Sequence, residues 1–380
     1  MKIVYCIAAT YNSGGMERVL ANKANWLVQN GHEVTILTTD QRKRSPFFRL
    51  DPRIKTLDLD INYEENNGNS FLHKLIHYPF KLRRHKRALR ELLPELNADV
   101  VISMFCNDVS ILPQIKDGSK KVLEIHFSRF KRLQYGRKGI WKLADRLRSR
   151  NDLRLASKYN RFVVLTQEDK EYWGNLANIQ VIPNARTFEF DKPSELIEHR
   201  VIAVGRYCYQ KALNRLIDAW NIVCREVEDW KLYLVGDGED RELLQNQIES
   251  LGISDRVILG RAEKDMKSIY SEASILALSS RYEGLPMVLL EAQAAGLPIV
   301  SFKCKCGPLD VIADGEDGFL VEEGNIENLA EKLLKLIKDE SLRKEMGKAA
   351  FENSARFSEQ RVMCQWVQLF DEVVKRNERS

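Results

Sequence analysis

The sequence contains no long hydrophobic run. No apolar stretch approaches the ~18 residues that a bilayer-spanning helix needs, so we expect no transmembrane segment. The opening residues, MKIVYCIAATYNSGG, suit a buried first strand and a Gly-Gly loop better than a cleaved signal peptide. We therefore expect a cytoplasmic protein.

Cysteine pairs that build disulfide frameworks or zinc sites are also absent. The seven cysteines are odd in number and scattered, with no CxxC pair. Only Cys304 and Cys306 are close, and a single CxC pair is more often incidental than a metal site. The dinucleotide fingerprint GxGxxG is missing as well. These absences argue against a structural metal and against a dinucleotide cofactor.

Length and charge divide the chain into two halves. The chain has 380 residues, whereas a single hydrophobic core stops growing near ~250 to 300 residues. Residues 1–190 contain 33 Lys/Arg and 20 Asp/Glu, a net charge of +13, while residues 191–380 contain 26 and 34, a net charge of −8. Opposite charges predict different partners for the two halves.

Short apolar runs alternate with segments of helical periodicity, and the alternation occurs twice. This pattern predicts an α/β protein made of two doubly wound parallel sheets. The aperiodic segment FEFDKPSELIEHR marks the boundary, and the last stretch, from FSEQ onward, predicts an amphipathic helix. We place the domains at residues 1–188 and 189–355, with the helix at 356–380. The strand-like runs are KIVYCIA, EVTILTT, ADVVISMF, KKVLEI and RFVVLT, then RVIAVG, KLYLVG, RVILG, SILALSS, LPIVSF and GFLV.

Phosphate-binding features follow the first strand of each half. Gly14 and Gly15 lie where backbone N–H groups of a helix start can face an anion, although a tight strand-to-helix turn explains them equally well. Arg206 and Lys211 follow RVIAVG and could clamp a diphosphate. Taken alone, such a pair is more often a solvated helix start.

The segment SSRYEGLPMVLLEAQAAGLPIV is the most informative. It predicts a buried helix that starts near Pro286, with Glu283 just before it and Glu291 inside it. Eight residues at a helical rise of ~1.5 Å separate the two carboxylates by up to roughly 12 Å, which suits the two ends of a nucleotide sugar. A carboxylate in so apolar a helix needs a partner. Ligand hydroxyls could provide it, and we favour them over protein backbone or an arginine.

Six motifs in order resemble the retaining glycosyltransferases of family 4, which have the GT-B fold of two Rossmann-like domains facing a cleft. The resemblance covers essentially the whole chain and is nearest to members that act on bacterial polysaccharide or lipid-linked intermediates with UDP-hexose or UDP-N-acetylhexosamine donors. In that fold the terminal helix crosses back to the first domain. The motifs are the Gly-Gly loop, VIPNA, VGR with Lys211, VGDGED, Glu283 with Glu291, and the terminal amphipathic helix.

The resemblance implies a role for each matching residue. Glu291 would bind the ribose hydroxyls, and Glu283 would bind the donor sugar together with the N–H groups of Gly284 and Leu285. Arg206 and Lys211 would neutralise the departing diphosphate. The remaining implied contacts are the N–H groups of Gly15, Met287 and Val288 at the diphosphate, His126 beside the sugar, and Arg261 near the base.

The chain departs from the family pattern at two places. Lys211 is followed by Ala212 where the family usually has glycine, which could change the loop without removing the cation. The loop CKCGPLD replaces a Gly-Gly-x-x-Glu pattern, which leaves the sugar preference open.

We expect no metal cofactor. Asp58 and Asp60 match the Asp-x-Asp pattern of metal-dependent transferases, but we predict an edge strand with both side chains on one solvated face. Arg206 and Lys211 already provide positive charge for a diphosphate.

Two stretches carry most of the positive charge of the first half. Residues 81–90 contain six Lys/Arg and no acid, and residues 129–161 contain twelve against Asp145 and Asp152, with leucines interleaved. Such helices suit an anionic membrane surface, although a solvated face that packs through its leucines is an equally good account. We expect no nucleic acid, because no recognition motif accompanies the charge.

These observations favour a peripheral membrane glycosyltransferase. The alternatives are a non-catalytic GT-B scaffold that binds anionic membrane or nucleic acid, and another GT-B enzyme such as a nucleotide-sugar epimerase. A scaffold has no use for the set Arg206, Lys211, Glu283 and Glu291, and an epimerase has no need of a basic acceptor half.

Overall fold

A computed structural model describes residues 1–66, 71–129, 139–263 and 265–375. The chain divides into two compact units. The first comprises Met1–Leu165, Lys170–Ile182 and the chain from Met363 onward, and the second comprises Thr166–Asp169 and Pro183–Val362. The main division thus falls a few residues before the boundary placed at residue 188.

The first unit contains a seven-stranded sheet whose order is β3-β2-β1-β4-β5-β6-β7, with every strand pair parallel. Winding outward from β1 in both directions is the doubly wound pattern that the sequence predicts. Strand β7 was not predicted, because its three residues are only half-buried. The strands are β1 Lys2–Ile7, β2 Glu33–Thr38, β3 Lys55–Asp58, β4 Val100–Ser103, β5 Lys120–Glu124, β6 Arg161–Val164 and β7 Ile179–Val181.

The second unit repeats the arrangement with six parallel strands in the order β10-β9-β8-β11-β12-β13. Strands β11 and β12 are fully buried, as expected where helices cover both faces of a parallel sheet. The strands are β8 Arg200–Val204, β9 Lys231–Val235, β10 Val257–Leu259, β11 Ile275–Leu278, β12 Ile299–Phe302 and β13 Gly318–Val321.

The helices of the described ranges connect the strands. None of them is long and apolar enough to cross a membrane. They are α1 Gly15–Gln29, α2 Phe71–Leu96, α3 Ile140–Ala156, α4 Gln167–Trp173, α5 Leu213–Val223, α6 Arg241–Ser250, α7 Met266–Ser271, α8 Met287–Ala294, α9 Pro308–Val311, α10 Ile326–Lys338, α11 Glu340–Asn353 and α12 Glu359–Lys375, with 3-10 turns at Tyr63–Asn66, Leu112–Gln114 and Ser354–Phe357.

The terminal helix α12 forms as predicted, and its apolar stripe is buried. Trp366 lies in the first unit, with its ring centroid 3.3 Å from Nζ of Lys23 in α1. The helix therefore belongs, from Met363 onward, to the core of the first unit. The predicted stripe residues Val362, Trp366, Leu369, Phe370 and Val373 are all at most 3% exposed.

Candidate functional site

In the second unit, the loops that follow β8 and β9 pack backbone against backbone. A Cβ on Gly236 would lie 2.0 Å from the carbonyl oxygen of Gly205, and one on Gly238 would lie 2.2 Å from that of Tyr207. The amide of Tyr207 also donates to the carbonyl of Asp237 at 2.9 Å. Gly236 and Gly238 of VGDG are therefore required for this close approach, which fixes the backbone around Arg206.

The two predicted diphosphate ligands have different surroundings. Arg206 is exposed and makes no hydrogen bond or ion pair to any residue that the structure describes. The stem of Lys211 packs on Gly205, where a Cβ would lie 2.9 Å from Cε, and its ammonium group pairs with Glu283. Both cations thus follow β8, but only Arg206 has its charge open to solvent.

Glu283 is a buried carboxylate, 6% exposed, that is held by three donors. Lys211 Nζ and Ser280 Oγ each lie 2.6 Å from its Oε1, and Gln210 Nε2 lies 3.3 Å from Oε2. The structure thus brings together two residues that the sequence assigns to different parts of the donor. Gln210 and Ser280 were not predicted, although both lie within the two motifs.

Helix α8 begins as predicted, directly after Gly284, Leu285 and Pro286. Its N-cap residue, Pro286, offers no side-chain acceptor, so no side chain caps the helix start that Met287 and Val288 form. Gly307 packs against this helix start, and a Cβ there would lie 2.4 Å from Cδ of Pro286. Its φ of +107° also favours glycine at this position. A helix start without a capping side chain favours an anion.

Glu291 has a protein partner that the sequence did not predict. It is 5% exposed, and its Oε2 accepts a hydrogen bond from the hydroxyl of Tyr270 at 2.7 Å. Tyr270 lies in α7, far from Glu291 in sequence, and nothing in the local pattern could identify it. A buried phenol therefore fixes one oxygen of the predicted ribose ligand.

The loops after β8 and β10 contain Ala212 and Arg261. Ala212 adopts a left-handed conformation (φ 48°, ψ 41°), which explains why glycine suits the position after Lys211. Arg261 is exposed after the edge strand β10 and contacts no described residue by hydrogen bond or ion pair. Arg241 fixes the start of that loop by donating to the carbonyls of Leu259 and Gly260.

In the first unit, Gly15 begins the helix that follows β1, and His126 follows the carboxyl end of β5, as predicted. Gly15 is the first residue of α1, and a Cβ placed on it would meet no atom within 4 Å. His126 follows β5 and is almost buried, with its side chain 7% exposed. Its Nε2 lies 3.1 Å from Oε1 of Glu124, but the N–H direction is not aligned for a hydrogen bond.

Glu124 also forms a buried ion pair that sequence reasoning missed. Both of its oxygens accept from Lys23 Nζ, at 2.8 and 2.7 Å. Burial would raise the pKa of Glu124, but Lys23 and His126 together lower it to about 2. Burial lowers the pKa of Lys23 to about 8, against the opposing effect of Glu124. A lysine on the apolar face of a helix and a glutamate in a buried strand were the available signals.

The Asp-x-Asp pair lies in the first unit. Asp58 ends β3, an exposed edge strand as predicted, and accepts from Thr38 Oγ1 at 3.1 Å and from the amide of Arg42 at 3.2 Å. Asp60 lies beyond the strand and accepts from Asn62. Within the described part of the chain, no group of three or more His, Cys, Asp or Glu side chains could hold a metal ion.

Family models match nearly the whole chain. Residues 13–188 match the model described as Glycosyltransferase Family 4, and residues 186–353 match that of Glycosyl transferases group 1.

Solved structures share the fold. A mutant of S. aureus TarM in complex with fondaparinux, α-GlcNAc-glycerol and UDP has a TM-score of 0.80 at 17% identity, covering 97% of this chain and 99% of that one. Anabaena HepE in complex with UDP and glucose has a TM-score of 0.74 at 17% identity, covering 98% and 99%. These likenesses, together with the two doubly wound sheets, define the fold as GT-B, as predicted.

Two curated relatives match over nearly their full lengths. The chain is 31% identical to the GalNAc-α-(1→4)-GalNAc-α-(1→3)-diNAcBac-PP-undecaprenol α-1,4-N-acetyl-D-galactosaminyltransferase of Campylobacter jejuni, over 98% of this chain and 99% of that protein. It is 29% identical to the amylovoran biosynthesis glycosyltransferase AmsD of Erwinia amylovora, over 96% and 98%. The chain belongs to glycosyltransferase family 4 and is a hexosyltransferase.

Proposed function

We propose that this enzyme transfers a hexose or N-acetylhexosamine from a UDP-sugar to a polysaccharide or lipid-linked oligosaccharide, with retention of anomeric configuration. The Campylobacter relative is named for an undecaprenol-diphosphate-linked acceptor, and the Erwinia relative for amylovoran biosynthesis. The related structures of TarM and HepE contain UDP. These names support the acceptor class and the nucleotide.

The single observation that carries the proposal is the buried cluster of Lys211 and Glu283 beside the start of α8. In transfer, the bond between the anomeric carbon and the phosphate oxygen breaks, and the diphosphate leaves with the electron pair. A bond forms from the anomeric carbon to the acceptor hydroxyl oxygen, and the hydroxyl proton is released. Lys211, Arg206 and the helix N–H groups stabilise the charge that develops on the diphosphate.

The other predicted ligands complete the donor site. Glu291, oriented by Tyr270, accepts hydrogen bonds from the ribose hydroxyls, and Arg261 lies near the base. Glu283 binds sugar hydroxyls with the N–H groups of Gly284 and Leu285. From the family resemblance alone, we also assign the N–H of Gly15 to the diphosphate and His126 to the donor sugar.

No metal cofactor is needed in this proposal, because Arg206 and Lys211 supply the positive charge. Asp58 already accepts hydrogen bonds from Thr38 and from the backbone of Arg42. We therefore expect UDP to raise the melting temperature equally in EDTA and in magnesium. If UDP raised the melting temperature only in magnesium and not in EDTA, the proposal would be wrong, and Asp58 and Asp60 would be the candidate metal ligands.

The enzyme docks on the anionic cytoplasmic face of a membrane through α2 and α3. In α2, Phe80 is 63% exposed and shares a helix face with Arg84 and Arg87. In α3, Leu143 and Leu147 are 58% and 56% exposed among arginines. Arginine stripes that contain exposed apolar side chains suit an interfacial helix better than a purely solvated face. Residues 130–138 of the second basic stretch lie outside the described residues.

A panel of UDP-sugars tests the proposal against its alternatives. Thermal shift with UDP-glucose, UDP-galactose and their N-acetylamino analogues identifies the donor, and UDP release measures its turnover. A scaffold would release no UDP, and an epimerase would convert the sugar while it stays on the nucleotide. NMR of the transferred sugar distinguishes retention from inversion.

A further inference from the structure

The buried ion pair of the first unit takes no part in the transfer described above. Lys23 and Glu124 are 6% and 1% exposed, and their atoms lie 2.7 Å apart. Burying two charges is costly, and a well-packed apolar pair is often at least as stable. Fold stability alone is therefore a weak reason for this pair.

The carboxylate of Glu124 faces the His126 imidazole across a short gap. Its Oε1 lies 3.1 Å from Nε2, and Nε2 has no aligned hydrogen bond within the described structure. Hydrogen bonds of catalytic groups are often poorly aligned without substrate and tighten when substrate binds. The 3.1 Å separation of Nε2 and Oε1 is short enough for this bond to form once the N–H group is aligned.

The carboxylate itself is fixed from several sides. Lys23 donates to both of its oxygens, and the Trp366 ring of α12 lies against the ammonium group at 3.3 Å. Tyr5 from β1 is fully buried, and the nearby Glu124 charge adds to the effect of burial in raising the pKa of its phenol. Among the described residues, Lys23, Tyr5 and His126 are thus the titratable groups found to interact with Glu124.

We propose that Glu124, held by Lys23 and Trp366, is a positioning residue for His126. Its negative charge keeps the imidazole proton on Nε2, which leaves Nδ1 as a hydrogen-bond acceptor. The fixed carboxylate then orients the ring as the donor binds and this hydrogen bond forms. This inference rests on the proposed contact of His126 with the donor sugar.

Kinetics of paired variants test the proposal, with UDP release from the donor that the wild type uses. Glu124→Gln should lower kcat at least tenfold with little change in KM for the donor. His126→Ala should lower kcat similarly, and the double variant should be no worse than His126→Ala, because the two residues act as one unit. Additive losses would overturn the proposal while leaving the proposed function intact.

A matched control separates positioning from loss of stability. Asp117 pairs with Lys121 near the other end of β5, with side-chain exposures of 1% and 6%. Asp117→Asn should lower the melting temperature as Glu124→Gln does, but leave kcat within about twofold of wild type. If Asp117→Asn lowered kcat as much as Glu124→Gln, the effect of Glu124 on kcat would be explained by lost stability, and the positioning role would be wrong.

NMR of the imidazole nitrogens gives a readout that does not depend on turnover. The chain has six histidines, so the His126 signals can be assigned from their absence in His126→Ala. We expect the Nε2–H tautomer in the wild type and in Asp117→Asn, and a mixture in Glu124→Gln. The same tautomer in all three would overturn the proposal. Failure of the wild type to turn over any UDP-sugar would instead contradict the proposed function.

Discussion

Lys211 Nζ lies 2.6 Å from Oε1 of Glu283. The residue predicted to bind the diphosphate is therefore paired with the residue predicted to bind the sugar. The pair keeps a buried carboxylate satisfied while no donor is present. In the proposed function, the diphosphate of a bound donor would compete with Glu283 for the lysine, and its sugar hydroxyls would replace the lysine on Glu283. On that proposal, the ion pair would couple recognition of the diphosphate to recognition of the sugar.

The first prediction concerns this exchange. Glu283→Gln removes the competitor for Lys211 and also removes the charged acceptor for sugar hydroxyls. UDP affinity should be unchanged or up to a few fold tighter, while transfer falls about 10²-fold. Calorimetry with UDP and UDP-release kinetics measure the two effects. Lys211→Met should instead weaken UDP binding, and a similar loss of UDP affinity in both variants would contradict the exchange.

The second prediction concerns Glu291 and Tyr270. Glu291→Gln should weaken UDP binding about tenfold, because the charged acceptor for the ribose is lost, at a cost of about 1.4 kcal/mol. Tyr270→Phe removes the hydrogen bond that orients the carboxylate and should have a smaller effect on affinity. It should also lower the melting temperature. Calorimetry against deoxyuridine diphosphate provides the control, since the Glu291 effect should shrink when a ribose hydroxyl is missing.

The sequence predicts those structural features that are determined by residues close together in the chain, and it misses those that depend on contacts between distant elements. Strand periodicity and the glycines of VGR and VGDG are local signals. They were sufficient to predict both sheets and the loops after β8 and β9. The partners Tyr270 for Glu291 and Lys23 for Glu124 come from distant elements. Local patterns can mark Lys23 and Glu124 as unusual buried charges, but they cannot show which residues pair. The Lys211–Glu283 pair was predictable only in part. Both motifs were recognised, but the contact between them depends on the neighbouring positions of β8 and β11 in the sheet.

The third prediction concerns the acid stability of the first unit. The pKa of Glu124 is lowered from 4.5 to about 2, so its stabilising effect is present above pH 4.5 and lost as pH falls toward 2. Glu124→Gln should therefore be less stable than wild type at pH 7, by about 3 to 5 kcal/mol. The gap should narrow between pH 4.5 and pH 3. Urea unfolding at several pH values measures it, and a gap that does not change with pH would be inconsistent with this ion pair.

The fourth prediction concerns Ala212 in its left-handed conformation. Ala212→Gly removes a backbone strain of about 1 kcal/mol and loses a buried methyl group of similar worth. Stability should therefore change by less than about 1 kcal/mol, with UDP binding intact. Ala212→Val should destabilise by about 2 kcal/mol or more, because a branched side chain suits this conformation least. Denaturant unfolding compares them, and equal stability of the two variants would exclude the strained backbone.

The last prediction concerns the exposed face of α2. Replacing Arg83, Arg84 and Arg87 together by glutamine should weaken binding to vesicles that contain anionic lipid by up to about 10²-fold, since each basic residue contributes ~1 kcal/mol near the surface. Phe80→Ser should weaken it further by removing the exposed ring. Raising the salt concentration should weaken wild-type binding in the same direction, because surface charge is screened over ~8 Å at physiological ionic strength. Vesicle cosedimentation measures each effect.

A matched triple variant on the second unit controls for overall charge. Lys338, Lys344 and Lys348 are exposed on α10 and α11, in the half of the chain with net negative charge. Replacing these three by glutamine changes the net charge by the same amount and should leave vesicle binding unchanged. Both triple variants should keep the thermal shift with UDP, because neither removes a proposed donor ligand. Equal losses in both triple variants, or wild-type binding to neutral vesicles as strong as to anionic ones, would show that α2 is not the docking surface.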